Sequence, residues 1–277
     1  MKIGLVLEGG GMRGLYTAGV IDVMLDHGFH PDVICATSAG VTFGINLPSG
    51  QKGRVIRYNI DNAGKRDYVS IYSWLTTGNV VNVPYAYDLL PRQLDPFDNV
   101  KFMQSGIEFY ATVTNLLTGQ AEYIRIEDCF LDMDYIRASA SLPFMSRNVV
   151  IDGVPYLDGG IADNIPVDKC LEMGCDHVYV VLTRPAGYVR TGSMAPLGKL
   201  FYRKYPNLIR TMEERTARYN ECLARIERLE ASGKLTVIRP SRNVNISRLE
   251  SNPDRMWEMY NLGVDDAKKN RSRLFDR

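Results

Sequence analysis

The first 38 residues constrain the fold more than any other stretch, because they carry the pattern of a complete β-α-β unit. Ile3–Leu7 is a nearly continuous apolar run, which is typical of a strand buried on both faces. A glycine turn and a helical pattern of apolar residues follow, and Gly28 and Pro31 separate that helix from a second apolar run, Val33–Thr37. Such units build parallel sheets covered by helices. The sequence therefore predicts an α/β fold.

The rest of the chain continues the alternation of strands and helices without an obvious linker. Residues 51–105 are predicted to form helices and connecting loops over the sheet, and Asp152-Gly153 predicts a hairpin turn. Further strands are expected at 107–115, 121–126, 149–151, 154–157, 177–183 and 235–239, and helices at 134–141, 167–173, 208–229 and from Asn252-Pro253 onward. We expect one three-layer α/β/α domain over residues 1–277 with a mainly parallel central sheet. Its core would span residues 3–183, and the helices and strand of 205–271 would pack on that core.

Composition excludes several classes of function. Lys and Arg number 33 against 32 Asp and Glu, so the overall charge does not indicate a nucleic-acid partner. The five cysteines are scattered and have no histidine pair nearby, so we expect free thiols and neither a metal nor a cofactor. No apolar run approaches the ~18 residues of a membrane span, and the N-terminus lacks a signal-peptide pattern. These features predict a cytoplasmic protein.

The second apolar run leads directly into a serine between small residues. Ser38 is flanked by Thr37 and Ala39, with Ala36 and Gly40 two positions away on either side. This is the layout of a nucleophile elbow, a strand-to-helix turn so sharp that the serine hydroxyl projects at its apex. The usual first position of that pattern is glycine, and here it is Ala36. Taken alone, a serine between small residues is more often an ordinary turn.

The glycine turn after the first strand admits three interpretations. Gly9, Gly11 and Gly14 match the dinucleotide-binding fingerprint, which also requires an acidic residue at the end of the second strand. The nearby acid, Asp32, stands at the start of that strand, which disfavours a nucleotide-binding oxidoreductase. A purely structural role in close packing is the second interpretation, although consecutive glycines cost about 0.5–1 kcal/mol each in chain entropy.

The third interpretation is an oxyanion hole. Adjacent parallel strands end at the same edge of a sheet, so the glycine turn and Ser38 would lie side by side. Amides at a helix N-terminus attract anions, and each oxyanion donor typically contributes ~3 kcal/mol to a transition state. The candidate donors are backbone amides of this turn, and its basic side chain, Arg13, could stiffen it. The residues of the turn are Gly9, Gly10, Gly11, Met12, Arg13 and Gly14.

A serine nucleophile needs a base, and no histidine of this sequence is suitably placed. His27 and His30 precede the second strand and His177 begins another, so all three are expected at the sheet edge away from Ser38. The Ser-Asp-His arrangement of ordinary α/β-hydrolases is therefore not available. If Ser38 is catalytic, a carboxylate must be its partner.

Asp158 is the preferred carboxylate. It closes a predicted strand, and Gly159 and Gly160 after it permit a tight turn and a close approach. Burial would raise the pKa of such an aspartate toward a value suited to accepting a proton. Asp163 lies beyond the turn and Asp152 lies in a hairpin, so both are less favoured.

In combination, these motifs resemble the bacterial-type patatin-like phospholipases. The matching segments are 9–14, 36–40, 137–144 (Arg-Ala-Ser-Ala-Ser-Leu-Pro-Phe), 158–160 and 163–167 (Asp-Asn-Ile-Pro-Val), in that order. The resemblance covers about residues 3–183. It implies a Ser-Asp dyad of Ser38 and Asp158, an oxyanion hole in the glycine turn, and hydrolysis of fatty-acyl esters of lipids or phospholipids.

A basic and aromatic stretch bears on the partner. No acidic residue occurs between His177 and Met212, whereas residues 184–210 carry six Lys or Arg interleaved with aromatics. Such a segment could be a flap that contacts anionic lipid, peripheral to the inner membrane surface. A solvated loop is the plainer alternative. A catalytically weak or inactive lipid-binding protein remains the alternative function. Acyl length, head group and oligomeric state are not predictable from these patterns.

Overall fold

The computed structural model describes residues 1–275 and shows a mixed eight-stranded sheet between two layers of helices. The strands are β1 (Ile3–Leu7), β2 (Val33–Thr37), β3 (Glu108–Asn115), β4 (Ala121–Ile126), β5 (Val149–Ile151), β6 (Val154–Asp158), β7 (His177–Val181) and β8 (Leu235–Ile238). They are hydrogen-bonded in the order β5-β6-β3-β2-β1-β7-β8, with β4 also paired to β3. β1, β2, β3, β7 and β8 are parallel, and β4, β5 and β6 pair antiparallel. The predicted α/β class with a mainly parallel sheet is confirmed.

Helices connect these strands. They are α1 (Leu15–Asp26), α2 (Ala39–Gly44), α3 (Arg54–Asp61), α4 (Ile71–Thr77), α5 (Asn99–Gln104), α6 (Met133–Ser139), α7 (Val167–Glu172), α8 (Ala195–Phe201), α9 (Pro206–Ala231), α10 (Pro253–Lys269) and α11 (Arg271–Phe275). Gly11–Gly14 and Gly159–Ile161 are short 3-10 turns, and Tyr85–Leu94 is a π-helix that contains Pro91. The helical character expected for 51–105 is confirmed, whereas neither the π-helix nor α8 was predicted.

Alternating side chains of the strands divide the core into two layers. Leu5 and Leu7 of β1 belong to a cluster that includes α1, α2 and α10. Val6, which points to the other face, belongs to a second cluster with residues of α7 and α9. Because strand side chains alternate between faces, this partition means that helices cover both sides of the sheet. The three-layer arrangement is thus confirmed.

The C-terminal segment packs directly on the N-terminal unit. β8 extends the sheet beside β7. Helices α1 and α10 cross so closely that a Cβ on Gly19 would lie 2.2 Å from the Tyr260 carbonyl oxygen, and one on Gly263 would lie 2.1 Å from that of Tyr16. Any larger side chain at these two glycines would push the helices apart. The close crossing is therefore a direct consequence of the two glycines.

The register around β3 brings two strand ends face to face. Thr37, the last residue of β2, is opposite Thr112, and Asp158, the last residue of β6, is opposite Val113. β4 occupies the other side of β3 along both stretches, so β2 and β6 share one side. β2 runs parallel to β3 and β6 runs antiparallel to it, and their ends therefore meet. The residue after Thr37 is Ser38.

Candidate active site

The turn after β2 holds Ser38 in a strained conformation. Its φ of 57° and ψ of −122° are unusual for a residue other than glycine. A Cβ on Gly40 would lie 2.4 Å from the Leu7 carbonyl oxygen, so β1 and the start of α2 are nearly in contact. Ala36 is fully buried between Leu7 and Ala111 on the neighbouring strands and fits there as alanine. The turn has the geometry of a nucleophile elbow.

A hydrogen-bond chain holds this turn against β3. The Ser38 amide donates to Ser139 Oγ at 2.9 Å, and Ser139 Oγ donates to the Thr112 carbonyl at 2.6 Å. All three residues are buried. A strained backbone persists only where its surroundings determine it, and these two bonds contribute to that constraint. Ser139 belongs to the segment 137–144, which carries part of the family resemblance, and the sequence does not predict this contact.

Asp158 is in direct contact with the serine. Ser38 Oγ donates to Asp158 Oδ2 at 2.6 Å, and the Gly160 amide donates to Asp158 Oδ1 at 2.7 Å. Burial raises the pKa of Asp158, while the bonds from Ser38 and Gly160 and the positive charges of Arg215 and Arg248 act to lower it. The net shift is upward, which favours proton transfer from an alcohol.

The glycine turn after β1 lies against Ser38. A Cβ on Gly9 would be 3.0 Å from the Ser38 Cβ. The Gly9 amide already donates to the Asn164 carbonyl, and the Met12 amide donates to the Arg248 carbonyl, each at 3.1 Å. Among residues 1–275, no acceptor is found for the two amides between them, Gly10 and Gly11. These two are therefore the donors available to an incoming oxyanion.

The last two residues of the glycine turn are Arg13 and Gly14, and their environments differ. The Arg13 side chain is 9% exposed, and its buried Nε has no hydrogen-bond partner among the described residues. That atom makes no hydrogen bond to the glycine turn, and the stiffening of the turn by Arg13 stays a prediction. At Gly14 a Cβ would approach that of Ala39 to 2.9 Å, which identifies Gly14 as a packing glycine between the two turns.

Further contacts of the turn disfavour a dinucleotide site. A Cβ on Gly11, whose φ is +58°, would lie 2.6 Å from the Arg248 carbonyl oxygen, so the loop before α10 covers the start of the helix. The strand end that would need an acidic residue carries Thr37, whose hydroxyl donates to the Asp163 carbonyl at 3.1 Å. Neither feature leaves a place for a pyrophosphate and a ribose.

The other candidate bases make contacts elsewhere. A ring nitrogen of His27 lies 2.9 Å from the Val23 carbonyl, one of His30 lies 2.8 Å from the Ser105 carbonyl, and one of His177 lies 2.9 Å from Thr236 Oγ1. Asp163 accepts from the Tyr123 hydroxyl at 2.8 Å, and Asp152 occupies a turn with φ of 50°. These positions agree with the prediction, made from where the strands begin and end, that no histidine is placed to act as base.

An apolar cavity of about 150 Å³ opens at Ser38. Helices α2, α3 and α6 and the π-helix form most of its wall. Its apolar lining includes Met12, Phe43, Ile45, Tyr58, Tyr68, Leu90, Met133, Ile136 and Leu142. An engineered apolar cavity of comparable volume binds benzene, so this one can hold about six carbons of a single chain.

A second cavity, of about 530 Å³, lies on the other side of the glycine turn. Glu8 and Gly9 line it, whereas Gly11 and Met12 line the apolar cavity; Leu142 and Arg248 contribute to both. Its charged lining consists of Glu8 and five arginines, Arg13, Arg184, Arg190, Arg215 and Arg248. The two cavities therefore share Leu142 and Arg248 but differ in their charged lining, and Ser38 lines the apolar one.

Glu8 is a buried carboxylate that the sequence interpretation did not single out. Its Oε1 accepts from the Tyr219 hydroxyl at 2.6 Å and from Asn164 Nδ2 at 3.0 Å. Its Oε2 accepts from the amide of Thr183 at 2.6 Å and from its hydroxyl at 3.1 Å. Asn164 belongs to the segment 163–167, which carries part of the family resemblance. That resemblance is the sequence signal that could have pointed to Glu8 through its bond to Asn164. Glu8 thus ties β1, β7 and α9 together.

Among residues 1–275 no cluster of three or more His, Cys, Asp or Glu could hold a metal ion. Over the same residues, no helix has the length and apolarity to span a membrane.

Comparison with known proteins identifies the class to which this chain belongs. Residues 5–171 match the family model described as patatin-like phospholipase, which is more than half of the chain. The chain therefore belongs to the patatin-like phospholipase family, and it is a hydrolase acting on lipid esters. Residues 205–276 match a second model, a domain of unknown function, DUF6363.

The similar proteins differ in how much of this chain they match and in how much of their own length is covered. The protein YjjU of Escherichia coli (strain K12), described as uncharacterized, is 29% identical over 282 residues, covering 95% of this chain and 75% of YjjU. Lysophospholipase NTE1 of Saccharomyces cerevisiae is 31% identical over 186 residues, which is 65% of this chain but only 10% of that longer protein. The solved structure of VipD from Legionella pneumophila aligns with 99% of this chain and 67% of its own, at 13% identity and a TM-score of 0.48.

Proposed function

We propose that this protein hydrolyses fatty-acyl esters of lipids with Ser38 as nucleophile and Asp158 as base. The observation that carries the proposal is the 2.6 Å bond from Ser38 Oγ to Asp158 Oδ2 at the mouth of an apolar cavity. Because Asp158 is buried, its carboxylate has a raised pKa and is a stronger proton acceptor than an exposed aspartate.

In the first step, Ser38 Oγ attacks the ester carbonyl carbon and its proton passes to Asp158. The amides of Gly10 and Gly11 stabilise the negative charge on the carbonyl oxygen. The alcohol then leaves with the proton from Asp158, and the acyl group remains on Ser38. In the second step, Asp158 removes a proton from water, the hydroxide attacks the acyl carbon, and the fatty acid leaves while Ser38 regains its proton.

The apolar cavity supports a substrate that presents one chain at a time. Its volume of about 150 Å³ suits about six carbons, with the rest of the chain extending through the mouth. A relative named lysophospholipase matches 65% of this chain. Both observations support a single-chain lipid ester as the preferred substrate.

Labelling and turnover test the dyad together. A fluorophosphonate probe should label the wild type, should fail with Ser38→Ala, and should label Asp158→Asn weakly. Hydrolysis of a panel of acyl esters and lysophospholipids should fall about 10⁴-fold in both variants. Ester turnover of Ser38→Ala equal to that of the wild type would contradict the assignment.

Matched controls are available within the chain. Ser49 is buried and bonds only locally, to the Asn46 carbonyl, so Ser49→Ala should retain labelling and turnover. Asp152 lies in a hairpin turn with positive φ, which asparagine tolerates, so Asp152→Asn should also retain both. If wild-type protein binds lipid but neither labels nor turns over any ester, the inactive lipid-binding alternative is correct.

We also propose that the face around α8 contacts lipid surfaces. Leu197, Leu200 and Phe201 are each more than half exposed, and Lys199 beside them pairs with Glu213 at 2.7 Å. Exposed apolar side chains next to lysines suit the boundary between lipid tails and head groups. Two members of the basic segment 184–210, Arg184 and Arg190, line the arginine cavity and do not belong to this face.

Vesicle binding tests the α8 face. Leu200→Ser combined with Phe201→Ser should weaken binding to anionic vesicles about tenfold, because it removes two exposed apolar side chains. Neutralising Lys199, Arg203 and Lys204 should weaken it further at low salt. Val100→Ser, at an exposed valine of α5, is the control. Unchanged vesicle binding by both sets of variants would rule the face out.

A further inference from the structure

The arginine-lined cavity has more positive charge than its own residues neutralise. Five arginines and one carboxylate line it. The carboxylate, Glu8, is occupied by Tyr219, Asn164 and Thr183 rather than by an arginine. An excess of like charge in a partly buried space is unfavourable unless an anion enters it.

Individual arginines have unsatisfied donors there. The Arg190 Nη1 and the Arg13 Nε are buried and have no hydrogen-bond partner among the described residues. The Arg190 guanidinium lies 3.5 Å from the centroid of the Tyr219 ring, and Tyr219 in turn donates to Glu8. Stacking fixes the plane of the guanidinium, and Arg190 lines the cavity with this donor unpaired, which suits a phosphate.

The charges also affect one another. Burial and the neighbouring charges of Arg184 and Arg248 lower the pKa of Arg13 to about 10. Burial and the charges of Arg190 and Arg248 lower the pKa of Arg215 to about 9. Both groups remain protonated at neutral pH, and a bound anion would relieve the repulsion between them.

The position of the cavity relates it to the ester. Gly9 lines the arginine cavity and Gly11 lines the apolar cavity, so the turn that carries the unpaired amides of Gly10 and Gly11 borders both. A lipid with its carbonyl at these amides and its chain in the apolar cavity would have its alcohol portion directed to the arginines. The phosphate of a glycerophospholipid is attached to that alcohol portion.

We propose that this cavity, whose lining includes Arg190, is the head-group site of the enzyme and selects single-chain glycerolipids that carry an anionic phosphate over neutral glycerides. The inference rests on the proposed function, because it assigns the second half of the same substrate. Four of the five arginines lie outside the motifs that indicate the family: Arg184 and Arg190 lie in the loop after β7, Arg215 in α9 and Arg248 in the loop before α10. The C-terminal segment would thereby supply substrate selectivity.

Equilibrium binding to Ser38→Ala protein tests the site without turnover. The ligands are hexanoyl lysophosphatidate, hexanoylglycerol and glycerol 3-phosphate, measured by calorimetry at low and high salt. We expect the lysophosphatidate to bind at least about tenfold more tightly than hexanoylglycerol, with the difference shrinking as salt rises. Equal affinity for the two acylated ligands would overturn the proposal. Glycerol 3-phosphate binding as tightly as lysophosphatidate would also overturn it, since the cavity would then be a site for free anions.

Substitutions link the effect to Arg190. Adding Arg190→Gln should remove most of the preference for lysophosphatidate, and Arg190→Lys should retain part of it because the charge remains. Arg228→Gln, at an exposed arginine of α9 outside the cavity, is the control and should keep the full preference. Loss of the preference in Arg228→Gln would show that overall charge, not this cavity, is responsible. Melting temperatures of all variants identify any that fail to fold.

Turnover separates this inference from the proposed function. In protein with Ser38 intact, Arg190→Gln should lower the ratio of kcat/KM for lysophosphatidate to that for hexanoylglycerol about tenfold, mainly through KM. If neither ester is hydrolysed by wild-type protein while lysophosphatidate still binds selectively, the proposed catalysis fails and the head-group site stands. If both esters are hydrolysed with the same ratio in wild type and Arg190→Gln, the head-group site fails and the catalysis stands.

Discussion

Arg54 and Arg190 are both largely buried arginines at the edge of a cavity, but their surroundings differ. Arg54, beside the apolar cavity, donates to the Asp95 carbonyl at 2.7 Å and to Asn46 Oδ1 at 3.3 Å, and its charge faces the Asp95 carboxylate. Arg190, in the other cavity, stacks on Tyr219 and has a buried nitrogen without a partner among the described residues. Arg54 is therefore paired within the protein, whereas Arg190 retains an unpaired donor that a ligand could bind.

The same contrast extends to the two cavities. The apolar cavity is bounded by helices that follow the elbow and by the π-helix. Of its two charged wall residues, Arg248 is shared with the arginine cavity and Arg54 is neutralised within the protein. The arginine cavity is bounded by the loop after β7, α9 and the loop before α10. Buried polar groups in proteins are normally satisfied, so donors left without partners mark a place where function outweighs stability. Four predictions test this contrast.

Unfolding should distinguish the two arginines most strongly. Arg54→Met leaves Asp95 with one charged partner fewer and removes the donor to Asn46, so it should lower the free energy of unfolding by about 3 kcal/mol or more. Arg190→Met removes a repelled charge and should change it by less than about 1 kcal/mol in either direction. Urea denaturation measures both. Equal destabilisation by the two substitutions would contradict the contrast.

The hydrogen bond from the Ser38 amide to Ser139 should affect the turnover of neutral and phosphate-bearing esters equally. Ser139→Ala removes the acceptor of the Ser38 amide, so the proposed nucleophile loses part of its positioning. We expect kcat/KM to fall about 10–100-fold for neutral and phosphate-bearing esters alike, with little change in their ratio. A fall confined to one substrate would show that Ser139 acts through a cavity wall instead. Ser73→Ala, at a buried serine of α4, serves as the control.

A larger side chain in the apolar cavity should change the preference for acyl-chain length and not the preference for a phosphate. Ala86 lies on the π-helix and lines the apolar cavity. Ala86→Phe should lower kcat/KM for decanoyl esters about tenfold relative to acetyl esters, because the first carbons of the chain lose their space. The preference for a phosphate should stay at its wild-type value. A change in that preference would mean that the two cavities are not independent.

The smallest expected effect is on the pH profile. Asp158 must be ionised to act as base, and burial holds its pKa above the ordinary value of 3.8. Activity should therefore rise with pH through that raised pKa. The charges of Arg215 and Arg248 oppose the increase, so Arg248→Gln should move the acid limb of kcat/KM to higher pH, and Arg215→Gln should move it further. An acid limb that shifts downward in these variants would contradict the electrostatic assignment.

Much of the fold was predictable because its signals are local. The apolar runs at Ile3–Leu7 and Val33–Thr37, the glycines between them and the hairpin at Asp152-Gly153 depend on neighbours a few residues away. The π-helix was not predicted, since Pro91 inside a polar and aromatic stretch indicates a break in regular structure rather than this one.

The site was predictable only in part. Strand ends indicated where Ser38 and the glycine turn should lie, and the lack of a usable histidine indicated a carboxylate partner. The reason Asp158 reaches Ser38, however, is that antiparallel β6 meets parallel β2 along one side of β3, and strand direction is not visible in a short apolar run. The occupied amides of Gly9 and Met12 depend on Asn164 and Arg248, which are distant along the chain.

The amino-acid sequence by itself determined the class of protein, the β-α-β unit and the residues that we propose as nucleophile and base, because these depend on residue type and short spacing. The tertiary structure alone decided which surfaces face one another. In residues 184–210 the sequence shows only a basic and aromatic stretch, and folding directs Arg184 and Arg190 into a cavity while Leu200 and Phe201 remain exposed. Side-chain direction follows from packing against α9 and the loop before α10, which are separate segments of the chain.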